Sequence, residues 1–171
     1  MVETIGAAMK KRHGGRHPLA SEAGHRPMAA AEPGNNPPMA QRVLLVEDDA
    51  INVKFMQVVL TRKGGFEVVV SEDPAEILAI AREGGLAGII MDISLARSTM
   101  DGQKMDGIGI TRLLKADPAT ASIPVLIATA HAMFGDRERF IAETGAEGYL
   151  AKPFHDPDAF LNEVRRVIPK E

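Results

Sequence analysis

The sequence predicts an α/β domain, a doubly wound (βα)5 arrangement in which a five-stranded parallel sheet carries helices on both faces. Three observations predict it. Short apolar runs such as Val43-Leu44-Leu45-Val46 and Gly88-Ile89-Ile90-Met91 show no polar alternation, as expected of strands buried on both faces. Segments with apolar residues at helical spacing lie between these runs. Gly-Gly and Asp-Pro pairs punctuate the alternation, and strands alternating with helices argue for a parallel sheet.

Each element follows from its local signals. The first strand spans about 42–47, and a helix over about 50–63 places Phe55, Met56, Val59 and Leu60 on one face before Gly64-Gly65 ends it. Phe66–Val70 is the second strand. Asp73-Pro74 opens the second helix as a cap followed by proline at the first helical position. Its core face is Ile77, Leu78 and Ala81, and Gly84-Gly85 stops it. The third strand, 87–92, ends in Asp92, and a long loop covers 93–106. The third helix runs from about 107 to 116, the fourth strand over 123–128, the fourth helix over about 132–144, and the fifth strand over 147–151. Asp156-Pro157 opens a last helix that buries Phe160, Leu161, Val164 and Val167.

Composition narrows the function. The 171-residue chain has net charge −3, which makes no electrostatic case for nucleic acid or membrane, and it has no cysteine for disulfides or thiolate metal sites. No run approaches the roughly 20 apolar residues of a membrane span. Lys10-Lys11-Arg12 has no apolar stretch after it, so it is not a secretory signal. Residues 1–40 hold five Gly, five Pro, eight Ala and no aromatic residue. Such a stretch buries too little to offset its ordering entropy. It is expected to be a disordered N-terminal extension, with Met39 an alternative start and a basic docking arm the competing reading, ahead of a domain at 41–171.

The chemistry gathers at strand ends. In open α/β sheets ligands bind outside the carboxyl ends of the strands. Glu47 and Asp48, Asp92, Thr129 and Lys152 all stand at such ends. Two like charges about 4 Å apart repel by roughly 4 kcal/mol at an effective dielectric near 20. Three ionised carboxylates therefore call for a cation or raised pKa values, and an all-oxygen ligand set selects a hard ion such as Mg²⁺. Each residue alone is an ordinary turn or strand-end residue; jointly they make a phosphoryl-transfer site. Asp92 is the carboxylate nucleophile, and Thr129 and Lys152 stabilise the phosphoryl oxygens.

These residues resemble the receiver domain of two-component response regulators over about 42–168. The matching motifs are Val43-Leu44-Leu45-Val46-Glu47-Asp48, Ile90-Met91-Asp92, Met105-Asp106-Gly107, Ala128-Thr129-Ala130 and Gly148-Tyr149-Leu150-Ala151-Lys152-Pro153-Phe154. The resemblance implies a flavodoxin-like sheet in order 2-1-3-4-5 and a cytoplasmic bacterial signalling phosphoprotein. It implies phosphorylation of Asp92 by a histidine kinase or histidine phosphotransfer protein. It implies Mg²⁺ held by Asp48 and Asp92 directly, by Glu47 through water and by the backbone carbonyl of Ser94. Tyr149 would be the aromatic switch residue, and the Lys152–Pro153 bond would be cis. The first helix would dock the phosphodonor, with Ile51, Val53 and Val58 off its core-facing row.

Two features depart from the family pattern. Asp92 and Gly107 lie fifteen positions apart, a longer spacing than usual, and Met-Asp-Gly occurs twice, at 100–102 and 105–107. The second copy opens the helix; the insertion is read evenly as a lid or partner contact and as a tolerated loop. Ala96 stands where the family usually has proline, which bears on the Ser94 contact. His131, two positions after Thr129, could tune loss of the phosphoryl group with pH, against a solvent-exposed reading.

A stand-alone regulator that signals by changing its protein partners is the expected function, with no direct nucleic-acid partner, no membrane insertion and no enzyme turnover beyond slow self-dephosphorylation. A phosphate shuttle in a relay fits equally. A pseudo-receiver is disfavoured by the intact Asp92, Asp48, Thr129 and Lys152. An aspartyl-phosphate phosphohydrolase is disfavoured because Asp92-Ile93-Ser94 lacks a second acid.

Overall fold

A computed structural model describes residues 40–130, 133 and 135–169. Residues 1–39 of the expected N-terminal extension and His131 lie outside them. The chain runs β1 (Arg42–Val46), α1 (Ala50–Val58), β2 (Glu67–Ser71), α2 (Pro74–Glu83), β3 (Leu86–Asp92), β4 (Thr99–Met100), β5 (Gln103–Lys104), α3 (Gly107–Ala116), β6 (Val125–Thr129), α4 (Asp136–Thr144), β7 (Gly148–Ala151) and α5 (Pro157–Val167). The main sheet is parallel throughout, in order β2-β1-β3-β6-β7. With the β4–β5 hairpin set aside, this is the 2-1-3-4-5 order the motifs imply.

Two apolar layers flank the sheet because successive side chains of a strand point to opposite faces. Leu44, Ile89, Met91 and Ile127 face the layer under α2 and α3, with Ile77, Ile110 and Leu114. Val43, Leu45, Ile90 and Leu126 face the layer under α1 and α5, with Met56, Leu60, Phe160 and Val164.

Aspartates start four helices. Asp49, Asp73, Asp106 and Asp156 each accept a hydrogen bond from a first-turn N–H, at 2.8–2.9 Å. Such a cap contributes about 1 kcal/mol. Pro74 and Pro157 occupy the first turn as expected.

Four details differ from the sequence reading. The fourth helix begins at Asp136, after the left-handed Gly135, later than the sequence predicts. The first helix extends into a π-helical turn at Val59–Gly64 before Gly65 ends it in the left-handed region. Val53 is half-buried against the α1–α5 layer, whereas Ile51 and Val58 are exposed. The 93–106 loop contains a two-stranded antiparallel hairpin, Thr99↔Lys104 and Met100↔Gln103. Its two-residue turn, Asp101 (φ 52°) and Gly102 (φ 76°), has both central residues left-handed. That backbone matches the twist of paired strands, and Asp-Gly adopts it readily.

Candidate functional site

Strand register builds the site. Val46 pairs with Met91, Asp92 with Ala128, and Thr129 with Ala151. One sheet edge therefore presents Glu47 and Asp48 just past β1, Asp92 ending β3, Thr129 ending β6, and Lys152 just past β7. Lys152 N–H donates to the Thr129 carbonyl at 2.8 Å, which extends the ladder to the site.

Burial and charge then define it. Asp92 is 4% exposed and Glu47 3% exposed, so both carboxylates are withdrawn from water. The Lys152 ammonium bridges them, 2.5 Å from Glu47 Oε2 and 3.1 Å from Asp92 Oδ2. Burial pushes the Glu47 carboxyl above its ordinary range and the Asp92 charge adds to this, while the Lys152 hydrogen bond and charge pull it down. Glu47 Oε1 also accepts from Asp49 N–H at 3.2 Å.

Asp48 completes the acidic set. One carboxylate oxygen from each of Glu47, Asp48 and Asp92 lies within 4.8 Å of the other two. Among the described residues Lys152 supplies the ammonium paired with this set, through Glu47 and Asp92. Three carboxylates outweigh it, so a divalent cation fits the remaining charge, and the all-oxygen donors suit a hard ion. Asp92 Oδ1 accepts from Ser94 N–H at 3.1 Å, which fixes the turn after the strand. Ser94 is exposed beside the cluster.

Thr129 is fully buried at the end of β6. Tyr149 lies two strands from Asp92, 9% exposed, and stacks on Phe140 of α4 with ring centroids 6.1 Å apart. Burial raises the Tyr149 hydroxyl above its ordinary pKa, and Asp136 adds to the shift against Arg139. The Lys152–Pro153 bond is cis, as the motif implied.

The structure gives contacts at the site to Ala96, which the sequence marked only as standing in place of the usual proline, and to Arg97, which the sequence did not single out. Ala96 N–H donates to Asp48 Oδ2 at 2.8 Å, and the Arg97 guanidinium reaches the Asp48 carbonyl at 3.1 Å. Neither residue belongs to a motif. The available signals were Ala96 itself, whose N–H a proline would lack, and the extra length with Asp101-Gly102 as a hairpin turn.

Known proteins share this architecture. The response regulator receiver domain family matches residues 43–165. The polar-differentiation response regulator DivK of Brucella ovis is 35% identical over 130 residues, covering 76% of this chain and 98% of that protein. Among solved structures, the receiver domain of the Pseudomonas aeruginosa sensor histidine kinase PA1611 carries a magnesium ion coordinated in its active site cleft. It matches with TM-score 0.63 and 28% identity over 77% of this chain and 99% of that one. The Vibrio cholerae chemotaxis response regulator CheY4 matches with TM-score 0.63 and 25% identity, covering 75% of this chain and 98% of that one. Among the described residues no helix is long and apolar enough to cross a membrane. With its sheet order, its acidic strand-end cluster and a family match over residues 43–165, this chain belongs to the response regulator receiver domain family.

Proposed function

We propose that this chain is a stand-alone response regulator that accepts one phosphoryl group on Asp92 and signals by changing its protein partners. The observation that carries the reading is the buried Asp92 carboxylate with the Lys152 ammonium at 3.1 Å and two further acids within reach of a shared cation. Asp92 attacks the phosphorus of a phosphohistidine on a histidine kinase or phosphotransfer protein. An O–P bond forms as the P–N bond breaks, and the departing imidazole takes the bonding pair. Lys152 and Thr129 balance charge on the phosphoryl oxygens. Glu47, Asp48, Asp92 and the Ser94 carbonyl would hold Mg²⁺, which supplies countercharge to the same oxygens.

The product is an acyl phosphate, and slow hydrolysis returns the carboxylate, so the chain is a stoichiometric acceptor and not a turnover enzyme. Phosphorylation is a local charge event that must bias a two-state surface. Tyr149, stacked on α4, is the proposed relay from Thr129 to the face of α4, β7 and α5, where a downstream protein would bind. A cytoplasmic location, where the donor histidine is phosphorylated, goes with this role.

Incubation with Mg²⁺ and acetyl phosphate, followed by intact mass, tests the reading. The wild type is expected to gain one phosphoryl group and Asp92→Asn none. Equal uptake by both would move the acceptor elsewhere.

A further inference from the structure

We propose that Ala96–Ser98, where the chain enters the β4–β5 hairpin, is a clamp that holds Asp48 in place for the divalent cation, with Arg97 as its positioning residue. The proposal rests on the metal-assisted reading above and concerns what the unusual insertion does. Asp48 is gripped at two points by consecutive residues. Ala96 N–H donates to its carboxylate Oδ2 at 2.8 Å, and Arg97 donates to its backbone carbonyl at 3.1 Å. The same guanidinium reaches Glu72 Oε2 at 3.2 Å. Ser98, 3% exposed, donates its hydroxyl to the Glu72 carbonyl at 2.8 Å. Glu72 directly follows β2, which pairs with β1 through Val46↔Ser71. The clamp is thus tied to the end of β2, the strand paired beside the one that delivers Asp48. Met105 N–H donates to the Ser98 carbonyl at 2.9 Å, so the hairpin closes behind the clamp.

The physical need is specific to Asp48. It stands past the end of β1, less buried than Glu47 and Asp92, and repulsion from those two acids drives it toward solvent. A tether on the solvent side opposes that drift. A ligand fixed beforehand loses less conformational freedom when the ion binds. Outer partners of metal ligands commonly set affinity in this way.

Charge alone predicts the opposite sign for Arg97. A guanidinium beside a cation site repels the cation, so its removal would tighten binding if proximity were its only effect. The clamp predicts weaker binding.

The test is calorimetric titration of Mg²⁺ into metal-free full-length protein with no phosphodonor, alongside unfolding midpoints in EDTA. Asp48→Asn is expected to lose measurable binding. Arg97→Ala is expected to weaken Mg²⁺ on the order of tenfold, with its metal-free midpoint unchanged, because exposed ion pairs contribute little to folding. Arg97→Lys should recover part of the affinity, since both contacts leave one guanidinium nitrogen and an ammonium also has several donors, though on a stem of different shape. Ser98→Ala should weaken binding as Arg97→Ala does. Arg97→Ala binding as tightly as the wild type, or more tightly, overturns the clamp while the wild type and Asp48→Asn still differ. A wild type that binds no Mg²⁺ overturns the metal-assisted reading itself.

Discussion

Tyr149 is the only tyrosine in a chain without tryptophan, so its ionisation can be followed alone. Its ring is 9% exposed and stacks on Phe140, and Arg139 lies over that second ring at 4.6 Å from its centroid. Burial, with Asp136 nearby, raises its pKa above the ordinary 10.0. The native state then holds this proton where the unfolded chain has released it. Stability from this group is therefore complete below about pH 10 and declines as pH rises through the native value. The phenolate absorbance of the folded protein is expected to rise with a midpoint above that of the urea-unfolded protein. In Tyr149→Phe the alkaline decline in stability should be shallower. Coincident midpoints would mean that the ring is not held inward. The candidate site was legible at this scale because Glu47, Asp48, Asp92, Thr129 and Lys152 each end a strand that its own apolar run identifies. The Phe140 partner was not, because nine positions and a turn separate it from Tyr149 and no period links them.

At the scale of elements, the abutment of α3 on β3 decides how firmly Asp92 is placed. Gly107 opens α3 directly against the end of β3, and its N–H donates to the Ile93 carbonyl at 3.1 Å. A Cβ there would run into the Asp92 carbonyl oxygen, whereas one at Gly109 would meet only the movable side chain of Met105 at 3.3 Å and the Asp106 carboxylate. Gly107→Ala must therefore displace backbone, and overpacking of this kind costs about 1–3 kcal/mol or more. Gly107→Ala should lower the urea midpoint and reduce phosphoryl uptake, while Gly109→Ala should change both little. Similar losses in the two variants would show that Asp92 does not depend on this contact. Gly102→Ala tests the hairpin turn in the same way. Its φ of 76° favours glycine, so a loss of roughly 1–2 kcal/mol is expected, and an unchanged midpoint would count against the turn. The helix starts were readable from Asp73-Pro74 and Asp156-Pro157 because capping is local chemistry. The hairpin was not, because two-residue strands are too short to show a period. The π-helical turn ends where Gly64 packs against Phe66 and Leu161, a contact made across the fold.

At the scale of the whole molecule, every residue of the candidate site lies between Glu47 and Lys152, and both apolar layers are built from residues 43–168. Gln41, just before β1, donates its side-chain N–H to the Pro169 carbonyl at 3.1 Å, so the two ends of the described fold meet there. We propose on this basis that residues 41–171 fold and bind the cation without the segment before them. A ligand that binds only the native state raises stability by mass action, about 2.7 kcal/mol at a hundred times its dissociation constant. Mg²⁺ should therefore raise the thermal midpoint of the full chain, and Asp48→Asn should abolish the increase. A protein beginning at Ala40 should keep both the metal-free midpoint and the Mg²⁺-dependent increase. The glycine, proline and alanine content of residues 1–40 predicts this result, since it offers little apolar surface to add to either layer. A lower metal-free midpoint in the shortened protein would make the leading segment part of the fold. An unchanged midpoint with a smaller Mg²⁺ increase would instead bring that segment to the acidic edge of the sheet, and the boundary proposed at residue 41 would then be wrong for function though right for folding.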